Sequence, residues 1–140
     1  MKLIASAAGL DEMRSLPRAL VFIYVNWAIQ ARRSDAACRD FLAKLQREYP
    51  SEEIPVYRVD LSEQEGEVWV GIRKWLKEEG QPHDSLSYGG NGAMLWVRKG
   101  MVAAYVPYLA EIECHQLMAM TPGVFELGGE SGTLGSKPLQ

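Results

Sequence analysis

Apolar and polar residues alternate along the chain in blocks that predict strands and helices. Residues 19–25 form the longest strongly apolar run and show no polar alternation. Such a run is typical of a strand that is covered on both faces at the centre of a sheet. Shorter apolar stretches predict further strands, the last two of which form a hairpin, at residues 2–5, 56–61, 93–97 and 101–106.

Apolar residues spaced three and four positions apart predict helices between these strands. The first helix follows residue 5 and is closed by Pro17. The second is predicted to begin at Ser34 or Asp35, because Ser and Asp are favoured N-cap residues, and to end at Pro50.

Two more helices are predicted in the second half of the chain. One covers residues 68–80, and the other covers residues 109–120 with Cys114 and His115 near its middle. Residues 80–92 between them are rich in glycine and predict a long irregular loop.

The predicted order is strand, helix, strand, helix, strand, helix, hairpin, helix. It describes an α/β domain with a mixed sheet, parallel strands followed by an antiparallel hairpin, and helices on both faces. We expect one domain over residues 1–125 and a flexible, glycine-rich tail over residues 126–140.

Composition excludes several classes of protein. The chain has 140 residues, of which 47% are hydrophobic and 24% charged, a balance typical of a globular domain. A net charge of −3 offers no electrostatic surface for nucleic acid, and no apolar run is long enough to span a membrane. The N-terminal stretch is too weakly apolar for a secretory signal, so we expect a cytoplasmic protein.

The number and spacing of cysteines and histidines do not indicate a metal site or a disulfide. The chain has two cysteines, Cys38 and Cys114, and two histidines, His83 and His115, all far apart except the adjacent pair at 114 and 115. The usual spacing of zinc ligands is missing, and two distant cysteines do not make a disulfide framework. We expect neither a metal nor another cofactor.

Two segments resemble the thioredoxin family, and together with the order of elements the resemblance covers residues 2–120. Residues 21–32, Val-Phe-Ile-Tyr-Val-Asn-Trp-Ala-Ile-Gln-Ala-Arg, are similar to the family's central strand and its Trp-Cys-x-x-Cys-Lys motif, with Trp27 at the motif tryptophan. Residues 92–102 look like the family's cis-proline segment and hairpin. The resemblance implies a thioredoxin-like fold.

Four positions depart from the pattern that this resemblance implies. Ala28 and Ala31 stand where the family has its two redox cysteines. Phe22 takes the place of the family's buried acid, and Gly92 takes the place of the cis-proline. Disulfide exchange needs an attacking thiolate and a resolving thiol, so we expect a natural, redox-inactive member of the fold.

We therefore predict a binding site in place of the active site. A protein or peptide segment would pair with the backbone at Gly92 and Ala93 and contact Trp27 and Ile29. The free N–H groups at the helix start and the charges of Arg32 and Arg33 favour a carboxylate or a peptide carbonyl from the partner. A homodimer is a further possible partner. The predicted groove comprises Asn26, Trp27, Ala28, Ile29, Gln30, Ala31, Arg32, Asn91, Gly92 and Ala93.

The alternative is a thiol-dependent oxidoreductase or a glutathione-binding enzyme that uses Cys38 or Cys114. Cys38 lies on the apolar stripe of its helix, where burial raises the pKa of a thiol, and neighbours such as Cys114 and His115 point about 100° apart on a helix.

The sequence allows two interpretations each for the long loop and for Arg58. Trp69, Trp75 and Tyr88 surround the long loop, which forms either a lid or a plain connection. Arg58, whose partner is Asp60 or solvent, is expected at the edge of the sheet or in a salt bridge.

Overall fold

The computed structural model describes residues 1–25, 29–61, 66–81 and 92–127, and of residues 29–31 the backbone only. In chain order the elements are β1 (Lys2–Leu3), α1 (Ala7–Arg14), β2 (Arg18–Tyr24), α2 (Ile29–Glu48), β3 (Val56–Asp60), α3 (Glu67–Glu78), β4 (Ala93–Arg98), β5 (Met101–Val106), a 3₁₀ turn (Leu109–Glu111) and α4 (Cys114–Phe125).

The strands form one mixed sheet in the order β1-β3-β2-β4-β5. β1 and β2 both run parallel to β3, whereas β4 is antiparallel to β2 and to β5. β2 is therefore the central strand, and its residues 19–23 are all buried. The prediction of a doubly covered strand from the apolar run is confirmed.

Each face of β2 packs against a different pair of helices. Val21 and Ile23 join the core beneath α1 and α3, which includes Met13 and Trp75. Leu20 and Phe22 point to the other face, where the core is completed by α2 and α4. Successive side chains of a strand alternate between faces, so an unbroken apolar run serves both layers. The predicted mixed sheet with helices on both faces is confirmed.

The beginning of α2 differs from the sequence prediction. The helix starts at Ile29, more than a turn before the predicted caps, so Ser34 and Asp35 lie inside it. Ser34 is fully buried, and Asp35 accepts a hydrogen bond from Nε of Arg39 at 2.8 Å. The preference of Ser and Asp for the N-cap is local. Here the burial of Ser34 and the ion pair of Asp35 with Arg39, one turn along the helix, outweigh that preference.

The last predicted helix is two elements. A 3₁₀ turn at Leu109–Glu111 precedes α4, which begins at Cys114 instead of holding it in the middle. α4 also continues through Pro122, where the sequence predicted a stop, and ends at Phe125. Phe125 and Leu127 are buried against the α2 face of the sheet, so Leu127, at the start of the predicted tail, still packs on the domain.

None of the helices in the described part of the chain is long and apolar enough to cross a membrane.

Candidate functional site

Three segments meet where the central strand ends. β2 ends at Tyr24, α2 begins at Ile29, and β4 starts beside them because Ile23 pairs with Ala93. We call this region the α2 corner and define it as residues 29–34, Gly92, Ala93 and Tyr108. It is the place at which the sequence predicted a binding groove.

The predicted groove residues fall into three groups. Asn26, Trp27, Ala28 and Asn91 lie outside the described residues. Ile29, Gln30 and Ala31 form the first turn of α2, for which the structure describes the backbone. The remaining three are described in full: Arg32 is exposed, and Gly92 and Ala93 are buried.

Gly92 packs directly on α2. Its φ of +78° lies in the left-handed region that favours glycine. A Cβ atom built on Gly92 would overlap the Cβ and Oγ atoms of Ser34 and would contact a ring carbon of Phe22 at 3.4 Å. Only glycine fits between these neighbours without a shift of the backbone or of α2.

The carbonyl oxygen of Gly92 is already bonded within the domain. It accepts a hydrogen bond of 3.0 Å from the backbone N–H of Leu109. This bond places Tyr108, whose exposed fraction is 42%, next to the Gly92 segment. The predicted backbone pairing of a partner at Gly92 therefore has to use groups other than this carbonyl.

Phe22, which the resemblance places at the position of the family's buried acid, belongs to a stack of three side chains. The rings of Phe22 and Tyr24 lie 5.6 Å apart and nearly parallel, at 14°. The guanidinium carbon of Arg58 lies 5.5 Å from the centre of the Tyr24 ring. These are the distances of an aromatic stack and a cation–π contact.

The surroundings of Tyr24 change its acidity. Burial raises the pKa of its phenol, and the charges of Asp60 and Asp35 raise it further, while the positive charge of Arg58 opposes them. The sequence led us to expect Arg58 at the edge of the sheet or in a salt bridge. Neither arrangement is found among the described residues. β3 lies between β1 and β2, and the ring of Tyr24 is the partner of Arg58.

The two cysteines occupy different environments. Cys38 is fully buried in the core between α2 and the sheet, and burial raises the pKa of its thiol to about 12, with the nearby charge of Asp35 acting in the same direction. Cys114 is partly buried and is the first residue of α4. His115 follows it and is exposed.

The aromatic residues proposed to border a lid serve the domain's packing where the structure describes them. Trp75 is buried and donates a hydrogen bond from Nε1 to Glu79. Trp69 packs against the α1 and α3 core, and the guanidinium of Arg73 lies over its ring. Tyr88 and most of the long loop, residues 82–91, lie outside the described residues, so the lid remains a prediction.

Sequence reasoning missed three residues in or next to the α2 corner. Ser34 was interpreted as a cap, Tyr24 as one residue of a strand, and Tyr108 was not considered. A signal for Tyr24 was available, because a tyrosine at the polar end of an apolar strand often places its hydroxyl near solvent. The contact of Ser34 with Gly92, and the Leu109–Gly92 hydrogen bond that brings Tyr108 to this region, join segments far apart in sequence and had no local signal.

No protein-family model matches this sequence, and no curated protein matches it either. Solved structures do resemble it. Human ERp44 (form I) superposes with a TM-score of 0.60 at 13% identity, over 88% of this chain and 29% of that chain. This chain therefore spans less than a third of ERp44's length.

Two thioredoxins match over nearly their whole length. Thioredoxin O2 from Arabidopsis thaliana, in its oxidized state, gives a TM-score of 0.56 at 15% identity and covers 89% of this chain and 93% of its own. Plasmodium falciparum thioredoxin gives 0.56 at 13% identity, with 88% and 98% covered. The chain has the thioredoxin-like fold, and the fold predicted from the sequence is confirmed.

Proposed function

We propose that this chain is a redox-inactive thioredoxin-like domain that binds a protein or peptide segment reversibly at the α2 corner. The observation that carries the proposal is the position of the two thiol groups of the chain. The sequence has two cysteines, one in the core and one at the start of α4, while Ala28 and Ala31 occupy the motif positions. A thiolate at the corner is needed for disulfide exchange, and no residue there can supply one.

The same corner retains features suited to reversible contact. Gly92 keeps the chain close to α2, and the exposed Tyr108 precedes Leu109, whose backbone N–H is bonded to Gly92. An extended partner segment lies along this edge, contacts Trp27 and Ile29, and uses main-chain groups next to Gly92 other than its carbonyl. Contact of this kind holds a partner without forming a covalent intermediate.

The redox part of the proposal is tested by reduction of insulin disulfides with the full-length chain. We expect no turnover above the rate of the reductant alone. Turnover that disappears in Cys38→Ser or Cys114→Ser would overturn the proposal. Because Cys38 is buried, each variant is first checked for folding by circular dichroism.

The binding part is tested by selecting peptides from a displayed random library on the full-length chain. We expect enrichment of a sequence pattern that Trp27→Ala abolishes. Met101→Ala is the matched control, because Met101 has an exposed fraction of 62% and lies at the hairpin on the opposite end of β4. Loss of binding in both variants, or in neither, would contradict a site at the α2 corner.

One observation keeps the enzymatic alternative in view. Cys114 is partly buried, not fully enclosed, and the N-terminus of a helix is a position at which thiols become reactive. A thiol-dependent oxidoreductase or glutathione-binding enzyme would therefore use Cys114 in preference to Cys38. Rapid labelling of Cys114 in the native chain, together with turnover that Cys114→Ser abolishes, would favour it. A cytoplasmic location and a homodimer also stay predictions.

A further inference from the structure

β5 lies at one edge of the described sheet, where β4 is its single neighbouring strand. Its six residues, Met-Val-Ala-Ala-Tyr-Val, include neither a charged residue nor a proline. Met101 and Ala103 are exposed, so solvent reaches the strand. An edge strand presents unpaired backbone groups to other chains, and natural proteins protect such edges with charges, prolines or a covering segment. The sequence of β5 carries no such protection, so it has to come from elsewhere in the domain.

The hairpin turn determines which backbone groups of β5 point away from β4. Arg98 pairs with Met101 across a two-residue turn whose residues both have positive φ. Such a turn is closed by a pair that is hydrogen-bonded, and hydrogen-bonded pairs alternate with pairs that are not. The next pair, Val97 and Val102, is therefore of the second kind. The N–H of Val102 points outward, to the place where a further strand would supply a carbonyl.

The carboxylate of Glu79 already occupies this place. Glu79 directly follows α3, and its Oε1 accepts a hydrogen bond of 2.6 Å from the N–H of Val102. Its Oε2 accepts another from Nε1 of the buried Trp75, one turn back on the helix. Both oxygens are thus engaged, and the carboxylate connects α3 to the edge of the sheet. A carboxylate is a stronger acceptor than the peptide carbonyl that another strand would offer.

We infer that Glu79 closes the outer edge of β5 to strand addition and thereby keeps copies of this chain apart. Without the carboxylate, the N–H of Val102 is free to pair, and in a solution of the pure chain the available strand is β5 of a second copy. Two such strands pair antiparallel about a two-fold axis, and no charge on either strand opposes them. The inference does not depend on the α2 corner, and it implies that a homodimer of the wild-type chain uses another surface.

The test is the molecular mass of Glu79→Ala, measured by sedimentation equilibrium over a range of concentrations. We expect the variant to dimerise with an association constant at least about ten-fold larger than that of the wild-type chain, because the competitor for the Val102 N–H is gone. A variant that associates no more strongly than the wild-type chain would contradict the inference.

Two control variants distinguish an open edge from a lost charge and from lost stability. Glu78→Ala removes a neighbouring exposed carboxylate and leaves Glu79 in place. Thr121→Val removes a buried hydrogen bond to Trp96 and lowers stability without a change at β5. Both are expected to associate no more than the wild-type chain does. Dimerisation of either variant to the same extent as Glu79→Ala would show that charge or stability controls association, and the inference would be wrong.

A second substitution tests whether the copies meet at β5. Ala103 is exposed in the middle of the strand, and a lysine at this position puts a charge on the edge. Ala103→Lys combined with Glu79→Ala is expected to return the chain to a monomer. Dimerisation that persists in the double variant would mean that the copies meet elsewhere, which also overturns the inference.

Amide exchange in the wild-type chain tests the closed edge without a substitution. Although Val102 lies in an outer strand, its N–H is expected to exchange with deuterium at least about ten-fold more slowly than in an unstructured peptide, as followed by NMR. Fast exchange would contradict closure by Glu79. If circular dichroism shows that Glu79→Ala does not fold, Glu79→Gln replaces it. Its neutral amide oxygen is the weaker acceptor, so its association is again expected to exceed that of the wild-type chain.

Discussion

Ser34 occupies the space that a side chain on Gly92 would need. The contact joins the second turn of α2 to the residue before β4, so α2 and the start of β4 pack directly on each other. Glycine at position 92 is therefore required by packing and by its φ of +78° together.

The first prediction concerns this contact. Gly92→Ala is expected to lower the free energy of unfolding by about 2–4 kcal/mol, because it adds overpacking to the cost of a positive φ. Gly80→Ala is the control, since Gly80 has a φ of +71° but no neighbour within 4 Å, and it should cost only about 1 kcal/mol. Urea unfolding measures both.

A double variant distinguishes overlap from strain. Ser34→Gly removes the neighbour, so the cost of Gly92→Ala should be smaller in that background than in the wild-type chain. Equal costs for Gly92→Ala and Gly80→Ala, or full additivity with Ser34→Gly, would show that Ser34 does not constrain position 92.

The second prediction is that Cys38 is chemically silent in the native chain. With a pKa of about 12, only about one thiol in ten thousand is ionised at pH 8. Iodoacetamide should modify Cys38 in Cys114→Ser only after urea unfolds the chain, as mass spectrometry of the labelled protein would record. Fast labelling without denaturant is the contrary result.

The third prediction is a dependence of stability on pH above 9. The pKa of the Cys38 thiol is 9.0 in an unfolded chain and about 12 in the folded one, so the unfolded chain loses this proton first. The stabilising contribution of the buried neutral thiol is complete below pH 9 and is lost as the pH rises towards 12, with a slope of up to about 1.4 kcal/mol per pH unit.

Cys38→Ala isolates this contribution from the tyrosines and lysines that titrate in the same range. The free energy of unfolding of the variant, measured by urea titration at several pH values, should fall less steeply above pH 9 than that of the wild-type chain. Parallel curves for the two proteins would count against burial of the thiol.

The fourth prediction concerns Tyr24 and Arg58. Arg58→Met keeps an unbranched apolar side chain but removes the charge that opposes the rise in the Tyr24 pKa. The phenol should therefore titrate at a higher pH in the variant. Absorbance of the phenolate follows the titration, and the difference from Tyr24→Phe identifies its signal. Arg73→Met, which removes a guanidinium over Trp69, serves as the control and should leave Tyr24 unchanged.

The fifth prediction tests the buried hydrogen bonds that attach α4 to the sheet. Thr121 is fully buried, accepts a hydrogen bond from Nε1 of Trp96 at 2.9 Å and donates one to the carbonyl of Leu117 at 2.7 Å. Thr121→Val leaves the indole N–H without a partner and should cost about 1–3 kcal/mol. Thr121→Ser keeps the hydroxyl and should cost less, and equal losses of unfolding free energy in the two variants would contradict a role for these bonds.

The sequence by itself determined the architecture. The unbroken apolar run of β2 required burial on both faces, and the helical spacing of apolar residues on either side supplied the helices that cover it. These are local patterns, and a chain that contains them has few ways to bury them other than a central sheet between helices. The alanines at positions 28 and 31 were equally plain in the sequence.

Tertiary structure alone decided the ends of the helices and the contacts of the α2 corner. Ser34 is a good N-cap by propensity, but packing on Gly92 places it inside α2. Pro122 ordinarily ends a helix, yet α4 continues because Phe125 and Leu127 gain burial beyond it. The contact of Arg58 with the Tyr24 ring joins β3 to β2, and the hydrogen bond from Leu109 to Gly92 joins a later loop to the start of β4. Such pairings depend on the folded register instead of on neighbouring residues in the chain.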